Sequence, residues 1–140
     1  MLYLDTSVLV SVLTHELRTT TAQKWLATQD ANLLAISDWV VTEFSSALSI
    51  KLRTGQVGLD QRGAALALFT QMSTDTFRIF PLERASFRTA ARFCDLPALG
   101  LRAGDALHLA ICAEHGATLC TLDQRLGQAA PLVGVASMLL

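Results

Sequence analysis

The chain has 140 residues, 51% hydrophobic and 16% charged, with a formal net charge of -1. This composition excludes a disordered segment, and it lacks the global basic field of a general nucleic-acid binder. No apolar run reaches the roughly 20 residues needed to cross a bilayer, so a single domain hiding roughly two thirds of its unfolded surface is expected.

No basic stretch precedes an apolar one at the N-terminus, so no signal peptide is read there. Cys94, Cys112 and Cys120 lack zinc-type spacing and sit among apolar neighbours. They read as reduced core thiols of a cytoplasmic protein.

Leu2 to Leu4 form a short apolar run that stops at Asp5-Thr6-Ser7. A buried strand ending on a carboxylate is expected, then a helix over Ser7 to Leu13. On this stretch alone Asp5 reads as an N-cap. Thr20 to Gln29 is the next helix, anchored by Trp25 and Leu26. Leu33 to Ile36 is the second strand, and Ser37 or Asp38 caps a long helix to Arg53, ended by Thr54-Gly55. Leu59 to Met72 is again helical. Phe77 to Phe80 alternates and meets Pro81, giving a third strand with a hard stop. Glu83 to Cys94 is a helix, Pro97 to Gly100 a connection, and Ala103 to His115 a mostly apolar helix closed by Gly116. Thr118 to Leu122 is the fourth strand. Asp123 caps a short helix to Ala130, and Leu132 to Ala136 is the fifth strand. Strands alternating with helices predict a three-layer, Rossmann-like α/β/α unit around a five-stranded, mostly parallel sheet.

In such a sheet the C-terminal ends of strands and the N-terminal ends of helices share one edge, where ligands bind. Asp5 ends the first strand and Asp123 follows the fourth. Asp105 lies in the first turn of the helix leading to that fourth strand. Glu43 sits early in the helix after the second. On that helix Thr42, Ser45, Ser46, Ser49 and Arg53 fall on a polar arc at 100° per residue. Val40, Val41, Phe44, Ala47, Leu48 and Ile50 fill the other, and Glu43 falls among them. An ionised group there needs a partner: a buried Arg or Lys, or a metal or catalytic role. Converging carboxylates repel unless a cation joins them, and hard divalent ions prefer oxygen ligands. Four acids without a His or Cys cluster point to Mg²⁺ or Mn²⁺, and such sites hydrolyse phosphodiesters.

Asp5-Thr6-Ser7, the helical Glu43, Arg102-Ala-Gly-Asp105-Ala-Leu-His-Leu-Ala and Leu122-Asp123-Gln-Arg-Leu, in that order, make the whole chain resemble the PIN domain. Its size is similar to that of VapC-type ribonuclease toxins. The resemblance implies a Mg²⁺- or Mn²⁺-dependent endoribonuclease cutting structured RNA such as tRNA or rRNA. It places Asp5, Glu43, Asp105 and Asp123 as the acidic quartet on the metal, with Asp5 and Asp105 as the leading direct ligands and Glu43 and Asp123 acting directly or through waters. Thr6 and Thr121 stand where supporting hydroxyls are expected. It also implies a homodimer and an antitoxin whose C-terminal segment lies in an apolar groove. The helix carrying Trp39, Val40 and Phe44, and the Leu59 to Met72 helix, are the candidates for that groove.

Arg84, Arg88 and Arg92 recur every four residues and form one helical stripe. With Arg102 and Arg125 they either track an RNA backbone or form a solvated face. His108, one turn beyond Asp105, reads as a base, as a hydrogen-bond donor to the acids or, the expected case, as a satisfied interior histidine. A phosphoacceptor receiver domain would need a Lys after the fifth strand, but no Lys follows Lys51. A haloacid-type phosphatase would need a second aspartate two residues after Asp5. The alternative that survives is a PIN-like RNA-processing nuclease or a non-catalytic RNA-binding module.

Overall fold

The short apolar runs form strands because they pair in the interior, where every backbone amide needs a partner. A computed structural model describes residues 1–140. Its strands are β1 (Leu2–Leu4), β2 (Leu34–Ser37), β3 (Arg78–Phe80), β4 (Thr118–Thr121) and β5 (Ser137–Leu139). They form one sheet in the order β3-β2-β1-β4-β5, and every pairing is parallel. Its helices are α1 (Thr6–Leu13), α2 (Thr19–Ala27), α3 (Asp38–Arg53), α4 (Leu59–Asp75), α5 (Arg84–Cys94), α6 (Ala103–His115) and α7 (Gln124–Ala129).

β1 is the central strand, with Leu2 facing both Leu34 and Thr118 in register. From β1 the chain builds outward through β2 and β3, then returns to the other side for β4 and β5. The switch point therefore lies between β1 and β4, and it is there that α/β sheets bind ligands. Asp5 and the end of β4 sit at its carboxyl edge.

The core forms between sheet and helices. Tyr3, Leu4, Ile36, Val40, Phe44, Leu109, Ile111 and Leu119 are completely buried. A smaller apolar cluster of Val8, Val12 and Ala22 seats α2 on α1. Gly116, at φ 57°, closes α6 with a left-handed turn and lets the chain enter β4.

Several expected boundaries move. β2 is Leu34–Ser37, because Asp30 caps a 3-10 turn over Ala31–Leu33 and Leu33 stays exposed. The segment Leu132 to Ala136 is not the fifth strand. Pro131 opens a 3-10 turn over Ala130–Val133 and Gly134 ends it at φ 80°, so β5 begins only at Ser137. On α3, Val41 and Ile50 are exposed and not part of the buried arc. Cys112 and Cys120 are buried free thiols, but Cys94, at the end of α5, is exposed and not a core residue. No helix is long and apolar enough to cross a membrane.

Candidate active site

Asp5 is 3% exposed, and both of its expected roles meet in one side chain. Its Oδ1 caps α1, accepting from the Val8 amide at 3.2 Å and from Ser7 Oγ at 2.6 Å. Its Oδ2 accepts from Thr121 Oγ1 at 2.6 Å. Thr121 Oγ1 also accepts from the Asp123 amide at 2.9 Å, and Ser7 Oγ accepts from the Leu122 amide, so β4 is laced to Asp5 through two hydroxyls. Burial pushes the Asp5 carboxyl above the ordinary carboxylate value, against His108 and the hydrogen bonds from Ser7, Thr121 and Val8.

Glu43 lies on the second turn of α3. Its partner is neither Lys nor Arg. Glu43 Oε2 accepts from Thr6 Oγ1 at 2.6 Å and lies 2.6 Å from His108 Nε2, while Oε1 carries no hydrogen bond. Burial raises this carboxyl, but the His108 contact and then the Thr6 hydrogen bond outweigh it and hold Glu43 below its ordinary value. Gly104, on the first turn of α6, makes the approach possible: a Cβ there would sit 2.9 Å from Glu43 Oε1 and 3.3 Å from the Trp39 ring. Trp39 Nε1 is buried with no partner at hydrogen-bond distance, but it lies close enough to Glu43 to help lower that carboxyl.

Asp105 and Asp123 also act as local caps. Asp105 Oδ2 accepts from the Arg102 amide at 3.2 Å, and Asp123 Oδ1 accepts from the amides of Arg125 and Leu126 at 2.8 and 3.1 Å. Their other oxygens make no hydrogen bond. Both residues line a cleft of about 190 Å³ with Arg102 and Arg125. Asp123 also lines a larger cleft of about 710 Å³ with Thr6, Ser7 and Lys51.

The four acids thus stand on one edge, yet no three of them come close enough to form a ready metal cage. Each carboxylate is engaged by a nearby N–H or O–H group. The donor set itself suits a hard cation: four acids and no sulfur or imidazole cluster, each with an oxygen that carries at most one hydrogen bond. Asp5 adds a buried carboxylate without a basic partner, the kind of group a cation would stabilise. Asp5, Asp105 and Asp123 could hold Mg²⁺ or Mn²⁺, with waters completing the shell.

Arg84, Arg88 and Arg92 are all exposed along one face of α5. Arg102 and Arg125 stand at the acidic edge, where the Arg125 guanidinium donates to the Gly100 carbonyl at 3.0 Å. The expected groove of Trp39, Val40 and Phe44 is not formed, because Val40 and Phe44 are fully buried core residues. Only Trp39 reaches a surface, an apolar cleft with Phe87, Ala91 and Leu107. On α4, Leu68 lines a cleft with Leu13 and Val57.

Three residues at the site were not singled out from the sequence as partners of the acids: Tyr3, Ser7 and Ser37. Tyr3 Oη lies 2.7 Å from Ser37 Oγ and 2.9 Å from His108 Nδ1, so a polar chain runs through the core to Glu43. The available signal was a tyrosine within a buried strand and a histidine within an apolar helix, since buried polar groups must find partners.

The family model described as PIN domain matches residues 2–131. No curated protein matches the chain in sequence. Among solved structures, FitAcB from Neisseria gonorrhoeae is similar with a TM-score of 0.73 and 20% identity, over 99% of this chain and 96% of that one. VapC20 from Mycobacterium tuberculosis, a Sarcin-Ricin loop cleaving toxin, has a TM-score of 0.75 and 17% identity, over 92% and 95% of the two chains. VapBC2 from Rickettsia felis, solved with a DNA fragment from its promoter, has a TM-score of 0.69 and 19% identity, over 100% and 99%.

Proposed function

The chain belongs to the PIN domain family, and from that membership we propose that it is a Mg²⁺- or Mn²⁺-dependent endoribonuclease, the toxin of a toxin–antitoxin pair. The observation that carries the reading is the acidic edge at the β1–β4 switch point, where Asp5, Glu43, Asp105 and Asp123 each keep acceptor capacity after satisfying their local donors. The similarity in fold to toxin–antitoxin proteins supports the toxin role.

A divalent cation on Asp5, Asp105 and Asp123 would supply charge stabilisation for a phosphodiester under attack. Ser7 and Thr121 orient Asp5, so its Oδ2 stays fixed despite burial. Glu43, ionised and gripped at Oε2, offers Oε1 as acceptor for a proton of the attacking water. Arg102 and Arg125 border the same cleft and contact backbone phosphates of structured RNA, tRNA or rRNA. The cognate antitoxin occupies the clefts beside Lys51 and Leu68, and the toxin acts as a homodimer in the cytoplasm.

Incubating the purified chain with total cellular RNA and Mn²⁺, then mapping new ends, tests this. Discrete cuts that vanish with EDTA and with Asp105→Asn are expected. Intact RNA, or cuts that persist in Asp105→Asn, would overturn the assignment.

A further inference from the structure

The polar chain behind Glu43 has only one consistent direction. The Val40 amide donates to Ser37 Oγ at 3.5 Å, as the N-cap bond of α3. Ser37 is fully buried, and its hydroxyl hydrogen has a single acceptor within reach, Tyr3 Oη at 2.7 Å. Tyr3 is fully buried too, so its own hydrogen goes to His108 Nδ1 at 2.9 Å. That leaves the ring's proton on Nε2, where it meets Glu43 Oε2 at 2.6 Å. A proton on Nδ1 would reverse the Tyr3 hydroxyl toward Ser37 and strand the Ser37 hydrogen in a dry interior, which is costly.

We propose that Tyr3 and His108 are positioning residues for Glu43. They deliver one Nε2–H to Oε2, and with Thr6 they fix that oxygen of the carboxylate. The chain begins at the N-cap of α3 and ends on an acid of the same helix, so the orientation of Glu43 is tied to the docking of α3 on β1. Aligned hydrogen bonds also polarise one another, which strengthens the last of them. The geometry stands by itself; its consequence for turnover rests on the nuclease reading.

Two measurements test the proposal. Long-range proton–nitrogen correlation on the ¹⁵N-labelled, metal-free protein reads the His108 ring directly, since His15 and His115 are exposed. The expected result is a proton on Nε2 and none on Nδ1; a proton on Nδ1 overturns the chain. Tyr3→Phe, checked for folding by circular dichroism, is expected to lower kcat for RNA cleavage by about tenfold, as loss of an outer-sphere partner does. KM is expected to stay unchanged. A folded Tyr3→Phe protein with wild-type kcat would overturn the positioning role. Failure of the wild-type protein to cut any RNA would overturn the nuclease reading and leave the ring measurement to judge the chain.

Discussion

Thr121 Oγ1 donates to Asp5 Oδ2 at 2.6 Å across the β1–β4 seam, and it is the only hydrogen bond that this carboxylate oxygen receives. The same hydroxyl accepts the Asp123 amide, so one threonine sets the spacing between two acids at the edge. Thr121→Val keeps the shape and removes the bond. The variant is expected to lose about 1–3 kcal/mol at neutral pH, the cost of an unsatisfied buried polar group. Combining it with Asp5→Asn should recover part of that loss, and a double-mutant cycle by urea unfolding measures the coupling.

Asp5 carries a stability cost of its own. Its folded value is raised by burial, so its contribution is fully present below the unfolded carboxylate value and is lost as pH rises through the folded one. The Tm of Asp5→Asn relative to wild type, both metal-free, should therefore rise as the pH is taken from acid to 7. Well below the unfolded value of about 3.9, where the carboxyl is protonated in both states, that pH-dependent gain should vanish. Calorimetric melts in EDTA at both pH values check this.

Glu43 has the opposite sign. Its folded value is depressed, so it stabilises above the unfolded value of about 4.3 and the benefit is lost as pH falls through the folded one. Glu43→Gln is expected to cost about 1–2 kcal/mol at pH 7, from weaker hydrogen bonds to a neutral acceptor. The difference from wild type should shrink toward zero in acid, which a series of urea unfolding curves would show.

Two glycines should respond in opposite ways to one methyl group. At Gly104 the new Cβ would crowd Glu43 and Trp39, so Gly104→Ala should destabilise by about 1–3 kcal/mol and lower RNA cleavage. At Gly63, inside α4, a Cβ meets nothing within 4 Å, and Gly63→Ala should stabilise by about 0.4–1 kcal/mol with activity unchanged. Paired Tm and cleavage measurements separate the two effects.

The layer order and the edge that carries the acids were legible because strand–helix alternation leaves few topologies, and three of the acids sit at element boundaries. Asp5 and Asp123 could be placed from their cap positions alone. The partner of Glu43 could not, because His108 lies 65 residues further along and meets α3 only once α6 has packed. Periodicity gave α3 its faces but set Val41 and Ile50 inside, since it cannot show where the sheet ends and solvent begins. The Leu132 to Ala136 segment had the composition of a strand. Pro131 and Gly134, both visible in the sequence, make it a turn. The convergence of the carboxylates was legible as an edge and not as a cage, because each side chain also serves as a cap or a hydroxyl acceptor.

Titration calorimetry with Mn²⁺ reads cation binding at the acidic edge without any RNA. The wild-type protein should bind Mn²⁺, and Asp123→Asn and Asp105→Asn should each weaken binding by about tenfold or more while remaining folded. Absence of binding heat in the folded wild-type protein, or unchanged affinity in both variants, would mean that these acids do not form a metal site.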